Sequence, residues 1–154
     1  MKKQHSVSLL CSDLNNLERD IKIFNESGID LIHFDVMDGV FVPGFGLCEK
    51  HLKLIRKITP LPIEVHLMTI DPDKYIDMFA EQGADIISVH VETCTHLHKT
   101  IGKIKNKAAA GIIINPTTSV NTAKYIIPEV DIMNSELSKL SPQRMTETSN
   151  FTHI

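Results

Sequence analysis

His33 and Asp35 stand two residues apart in the otherwise apolar run Ile32-His33-Phe34-Asp35-Val36-Met37. In an extended strand, residues i and i+2 share a face. The imidazole and the carboxylate therefore project side by side, and Met37 continues their row. A neutral imidazole beside a carboxylate on rigid backbone is half of a divalent-metal site. A second half follows in Ile63-Glu64-Val65-His66-Leu67-Met68, where a histidine again precedes a methionine by two residues. His33, Asp35 and His66 offer a mixed nitrogen and oxygen donor set. That set suits one divalent zinc, iron, manganese or cobalt ion and argues against a calcium site of oxygens alone. Asp35 is also a candidate base for taking a proton from a carbon beside a carbonyl, with the metal stabilising the resulting enediolate. Met37 and Met68 would roof such a site with soft, non-ionising side chains. Ser8, ending the first apolar run, offers a hydroxyl to the substrate.

Each feature also has a plainer reading. A single strand histidine is commonly structural, and a methionine at i+2 commonly fills core. His90 and Glu92 repeat the spacing on a later run, where supporting the ligands is an alternative to touching metal or substrate. His96 and His98 lie where a helix begins and read as solvated. Asp38-Gly39 reads as a turn. Gly44-Phe45-Gly46 is a weak phosphate-loop signal.

The elements that must position these residues alternate in type. Short apolar, β-branched runs at 7–10, 31–37, 63–68, 86–91 and 111–115 read as strands, with a weaker one at 130–133. Helical spacing links Leu14, Leu17, Ile21 and Phe24 behind a Ser12-Asp13 cap, with Gly28 as the stop. Further stripes are Leu52, Ile55 and Ile58; Tyr75, Ile76, Met78 and Phe79 after Asp71-Pro72; Leu97, Ile101 and Ile104; and Val120, Ala123, Ile126 and Ile127. The βα repeat predicts a parallel sheet with crossover helices. Asp35, His66, His90, Glu92 and Asn115 gather at strand C-termini, the functional rim of a (β/α)8 barrel or of an open doubly wound sheet.

Composition narrows the function classes. The formal net charge of -3 provides no basic field for nucleic acid, so none is expected as a partner. No stretch is apolar and long enough to span a bilayer, and the first residues lack the apolar core of a signal peptide. Cys11, Cys48 and Cys94 fit neither a disulfide framework nor a zinc knuckle. They read as buried thiols in a reducing cytoplasm.

Five phrases resemble the ribulose-phosphate 3-epimerase family and its relatives acting on ketose phosphates such as allulose 6-phosphate. They are Ser8-Leu9-Leu10-Cys11-Ser12-Asp13; His33-Phe34-Asp35-Val36-Met37-Asp38-Gly39-Val40-Phe41-Val42-Pro43; Glu64-Val65-His66-Leu67-Met68; Gly83-Ala84-Asp85-Ile86-Ile87-Ser88-Val89-His90-Val91-Glu92; and Gly111-Ile112-Ile113-Ile114-Asn115-Pro116-Thr117-Thr118. The likeness covers residues 6–131. It implies a (β/α)8 TIM barrel that converts D-ribulose 5-phosphate to D-xylulose 5-phosphate in the pentose phosphate pathway. It further implies that Ser8 binds substrate and that His33, Asp35 and His66 are three of four metal ligands. Asp35 would be the proton acceptor and His66 a substrate contact, and Met37 and Met68 would pack over the enediolate.

The resemblance fades after residue 131. The family's phosphate loop after the sixth strand and its second catalytic aspartate on the seventh have no counterpart in the text, nor has the glycine-rich phosphate grip on the eighth. Asn134 to Ile154 is polar and without clear periodicity. The expectation is a partial barrel over 1–133, five to six βα units with the last two strands missing, and a divergent polar tail over 134–154. The chain resembles a truncated or frame-shifted epimerase, or a product remodelled from one. Exposed sheet edges would favour association with further copies. Two readings stand: a metal-dependent 3-epimerase of a ketose phosphate, and an inactive relative that keeps only metal or sugar-phosphate binding.

Overall fold

In the computed structural model, which describes residues 5–135, six parallel strands pair in chain order: β1 (Ser6–Ser8), β2 (Leu31–Met37), β3 (Ile63–Met68), β4 (Ile86–His90), β5 (Ala109–Ile114) and β6 (Ile132–Ser135). Sequential parallel pairing requires a crossover after each strand. Four of these crossovers carry an α-helix: α1 (Leu17–Glu26), α2 (Glu49–Ile55), α3 (Ile76–Glu81) and α4 (Leu97–Lys105). Among the described residues β1 and β6 each have one strand neighbour. No helix among them is long and apolar enough to cross a membrane.

The core lies between the outer face of the sheet and the helices. Ile32, Phe34, Val36, Ile63, Val65, Leu67, Ile87, Val89 and Ile112 are buried there with Ile21, Leu52, Ile55, Ile76, Phe79, Ile101 and Ile104. A second apolar cluster lies on the inner face near the strand N-termini, where Leu31 of β2 and Ile132 of β6 pack with Ile86 of β4. Contact between alternate strands requires a curled sheet, and it is how side-chain layers fill a (β/α)8 barrel. The architecture is thus a partial barrel.

β2 and β3 have the bounds that their apolar runs predict. β1 is shorter, because Leu9–Cys11 turns into a 3-10 helix. That turn leaves the Cys11 thiol exposed, against the expectation of burial, while Cys48 and Cys94 are half-buried and all three are free. Asp13 caps a 3-10 turn, Leu14–Asn16, that precedes α1, so Leu14 is exposed instead of joining the core stripe. The fifth helix is replaced by two 3-10 turns, Val120–Ala123 and Ile127–Glu129. Pro128 has no N–H to donate and its ring obstructs the preceding turn, so a regular helix cannot run through it. The weak sixth strand extends further than predicted: Asn134 and Ser135, assigned above to the tail, pair with Ile113 and Ile114. The rest of that tail, 136–154, lies outside the described residues.

A candidate metal and proton-transfer site

The pleat of β2 turns His33 and Asp35 to the inner face, and the register sets Asp35 beside His66 and Met37 beside Met68. Three donor atoms converge there. His33 Nε2 lies 3.0 Å from Asp35 Oδ1, His66 Nδ1 lies 3.3 Å from the same oxygen, and the two ring nitrogens are 3.3 Å apart. Two ligands about 2.1 Å from a shared ion sit roughly 3.0 Å apart at a right angle and roughly 3.4 Å apart at a tetrahedral angle. The observed spacings match that range, so the trio is a group that could hold one small divalent ion. Ser8, at the end of β1, donates its hydroxyl to Asp35 Oδ2 at 2.6 Å.

Two carboxylates flank the charged centre. Burial by itself would depress the His33 pKa, but Glu64 and Asp35 on either side of the ring raise it to about 10. Burial would raise the Asp35 carboxyl. The His33 charge and the hydrogen bonds from His33 and His66 outweigh it and hold Asp35 well below the usual carboxylate range. Glu64 is lowered in the same way, burial being overridden by His33 and by the Ser88 hydroxyl. Asp35 and Glu64 bring two buried carboxylates to the cluster, which favours a cation there.

A further imidazole extends the row. His66 Nε2 lies 2.9 Å from His90 Nε2, and His90 Nδ1 is 3.4 Å from Glu92 Oε2, a long contact. Burial and the neighbouring His66 push the His90 pKa down to about 4, so this ring is neutral. A neutral ring can accept the Nε2 hydrogen of His66, which leaves the lone pair of His66 Nδ1 for an ion shared with Asp35 and His33. Phe41 covers His90, ring centroids 4.7 Å apart.

Loops after the strands hold the rim. Asp38 accepts the Val40 and Phe41 amides on one oxygen and the Ile70 amide on the other, each at 2.9 Å. It thereby ties the loop after β2 to the loop after β3. Gly46 lies against the end of β2, where a Cβ would come within 2.5 Å of Asp35 O. The Gly44-Phe45-Gly46 string therefore braces the Asp35 backbone, and the next amide, Leu47, donates to Asp35 O at 2.8 Å.

The structure thus brings together Ser8, His33, Asp35 and His66, and sets Met37 opposite Met68 at the end of the same strand pair. His90 touches the cluster directly. His96 and His98 are exposed, and His98 pairs with Glu129 at 3.2 Å. Sequence reading assigned no role to Glu64 or Ser88. The signal for Glu64 was the period-two row it shares with His66, one step toward the strand N-terminus.

Comparison with known proteins agrees with the fold and with the motifs. The model of the ribulose-phosphate 3 epimerase family matches residues 4–137. Ribulose-phosphate 3-epimerase of Bacillus subtilis (strain 168) is 43% identical over 127 residues, 82% of this chain and 58% of that protein. The enzyme of that name from Synechocystis sp. is 42% identical over 129 residues, 82% of this chain and 56% of that one. That from Aquifex aeolicus is 39% identical over 145 residues, 92% of this chain and 65% of its own length. The chain therefore spans between 56% and 65% of the length of these curated relatives. Among solved structures, monomers of the dimeric phosphoribosylanthranilate isomerase of Thermotoga maritima superpose with a TM-score of 0.62 at 14% identity, covering 93% of this chain and 70% of that one. At that identity the likeness is one of fold.

Proposed function

The chain belongs to the ribulose-phosphate 3 epimerase family, and on that footing we propose that it acts on a phosphorylated ketose, removing the C3 proton of D-ribulose 5-phosphate on the way to D-xylulose 5-phosphate. The observation that supports this most is the convergence of His33 Nε2, Asp35 Oδ1 and His66 Nδ1 at strand C-termini. In this reading those atoms hold one divalent ion of zinc, iron, manganese or cobalt. When bound, that ion supplies the Lewis acidity that draws off charge building on the substrate's oxygens, which lets a carboxylate as weakly basic as Asp35 remove the proton. Asp35 receives the proton, and its orientation is fixed by the Ser8 hydroxyl on Oδ2. Ser8 and His66 contact substrate, and Met37 and Met68 keep water from the reacting carbon. The same reading places the protein in the pentose phosphate pathway of the cytoplasm.

An inversion takes a proton from one face of the carbon and returns one to the other. Asp35 serves one face, so the test has two stages. The full chain is incubated with ribulose 5-phosphate and each of the four metals in deuterated water. Exchange of the C3 hydrogen reports Asp35 acting as base, and xylulose 5-phosphate reports both faces. Exchange without conversion supports Asp35 as base and overturns inversion by this chain. Neither exchange nor conversion with any of the metals sinks the proposal.

A further inference from the structure

Glu64 is fully buried in β3, on the inner row two residues before His66. Its two oxygens have separate duties. Oε2 lies 2.8 Å from His33 Nδ1, and Oε1 accepts the Ser88 hydroxyl at 2.5 Å. Ser88 occupies space left open on the next strand, since a Cβ on Gly111 would come within 2.0 Å of Ser88 Oγ. One file across four strands therefore leads from Gly111, which makes room, through Ser88, which donates, to Glu64 and on to His33. Burying a carboxylate costs far more than burying hydrocarbon of the same size, and exchanging such groups for apolar ones is often stabilising. Stability alone gives no reason for an acid here.

We propose that Glu64 is the positioning residue of His33, fixing its tautomer and ring angle so that Nε2 faces the metal position. An ionised carboxylate only accepts hydrogen bonds, so the hydrogen it binds must sit on His33 Nδ1. Nε2 is then the ring atom left to share a ligand position with Asp35 Oδ1 and His66 Nδ1. Ser88 fixes the carboxylate in turn, and Gly111 keeps Ser88 in reach. Asp35 cannot perform this task, because it meets the ring on the Nε2 side. The inference rests on the metal reading given above and adds a residue to it.

The test uses zinc alone as the probe, with calorimetric titration of the full chain and nitrogen-15 spectra of the histidine rings in the zinc-loaded protein. Wild type is expected to bind one zinc at the cluster and to show an exchange-protected Nδ1 hydrogen on His33. Glu64→Leu, shown to be folded by circular dichroism, is expected to bind zinc about 10- to 100-fold more weakly and to lose that hydrogen signal. Glu64→Gln keeps an acceptor oxygen and is expected to recover most of the affinity. A folded Glu64→Leu variant with wild-type zinc affinity and an unchanged His33 signal overturns the inference alone. Failure of wild type to bind zinc overturns the metal reading and the inference with it. If Glu64→Leu does not fold, Ser88→Ala decides: weaker zinc binding with a displaced His33 Nδ1 signal supports the inference, and wild-type values for both overturn it.

Discussion

Along β2, Ile32, Phe34 and Val36 turn outward and bury against the helices, while His33 and Asp35, their neighbours in sequence, turn inward and bury against imidazoles and carboxylates. β3 repeats the division, with Ile63, Val65 and Leu67 outside and Glu64 and His66 inside. The two faces are equally dry and differ in what makes dryness tolerable. Outside, burial is itself favourable and needs only volume and shape. Inside, every buried group needs a directed partner, because an unpaired charge in low dielectric is costly. The outer face should therefore set stability and the inner face chemistry, with little exchange between them.

Substitutions on the two faces test that division, beginning with the largest expected effect. Asp35→Asn keeps the shape of the side chain and removes the base. It is expected to slow C3 hydrogen exchange by about 10²- to 10⁴-fold. Its denaturant midpoint should move little, since His33 keeps Glu64 as a charge partner. A large loss of stability with retained exchange would reverse the roles of the faces. Phe34→Ala, one residue away, opens a cavity beside Phe79, whose ring centroid is 6.2 Å from that of Phe34. It is expected to cost about 3–5 kcal/mol in urea unfolding, while zinc affinity per folded molecule stays as in wild type.

Gly111→Ala probes the place where the inner face is built by omission. The added methyl would collide with Ser88, and overpacking of this kind costs about 1–3 kcal/mol. Thermal unfolding measures that loss, and zinc titration should show a weaker site because Ser88 is displaced from Glu64. The smallest effect concerns how tightly the outer layer closes. Cys94 packs against the outer core, and burial pushes its thiol up to about 12, whereas Cys11 is exposed. Iodoacetamide at pH 8 should label Cys94 at least about 10-fold more slowly than Cys11. Equal rates, read by mass spectrometry, would mean the outer layer opens readily.

The outer face was the easier one to read in the sequence. Apolar residues at every second position, Ile32, Phe34 and Val36 in β2 and Ile63, Val65 and Leu67 in β3, mark the two strands, and flanking turns bound them. Reading failed where local chemistry decided the outcome. Two 3-10 turns stand where the spacing of Val120, Ala123 and Ile126 suggests a fifth helix, and Leu14 belongs to a 3-10 turn instead of α1. On the inner face the strand period puts His33 beside Asp35 and predicts the methionines above them. It does not show that His66 meets His90, or that Glu64 reaches across to His33, because those contacts depend on how neighbouring strands are aligned. Glu64 was visible as a letter in the row, but its partner on the next strand was not.

The central claim is that His33, Asp35 and His66 form one metal site on the inner face. Cobalt(II) absorption tests it most directly, since oxygen and nitrogen ligands give visible bands without the near-ultraviolet charge transfer of a thiolate. The expected result is one ion per chain with a nitrogen and oxygen spectrum, lost in both His33→Ala and His66→Ala. No cobalt spectrum in wild type, a thiolate band, or a spectrum unchanged in both variants would contradict it.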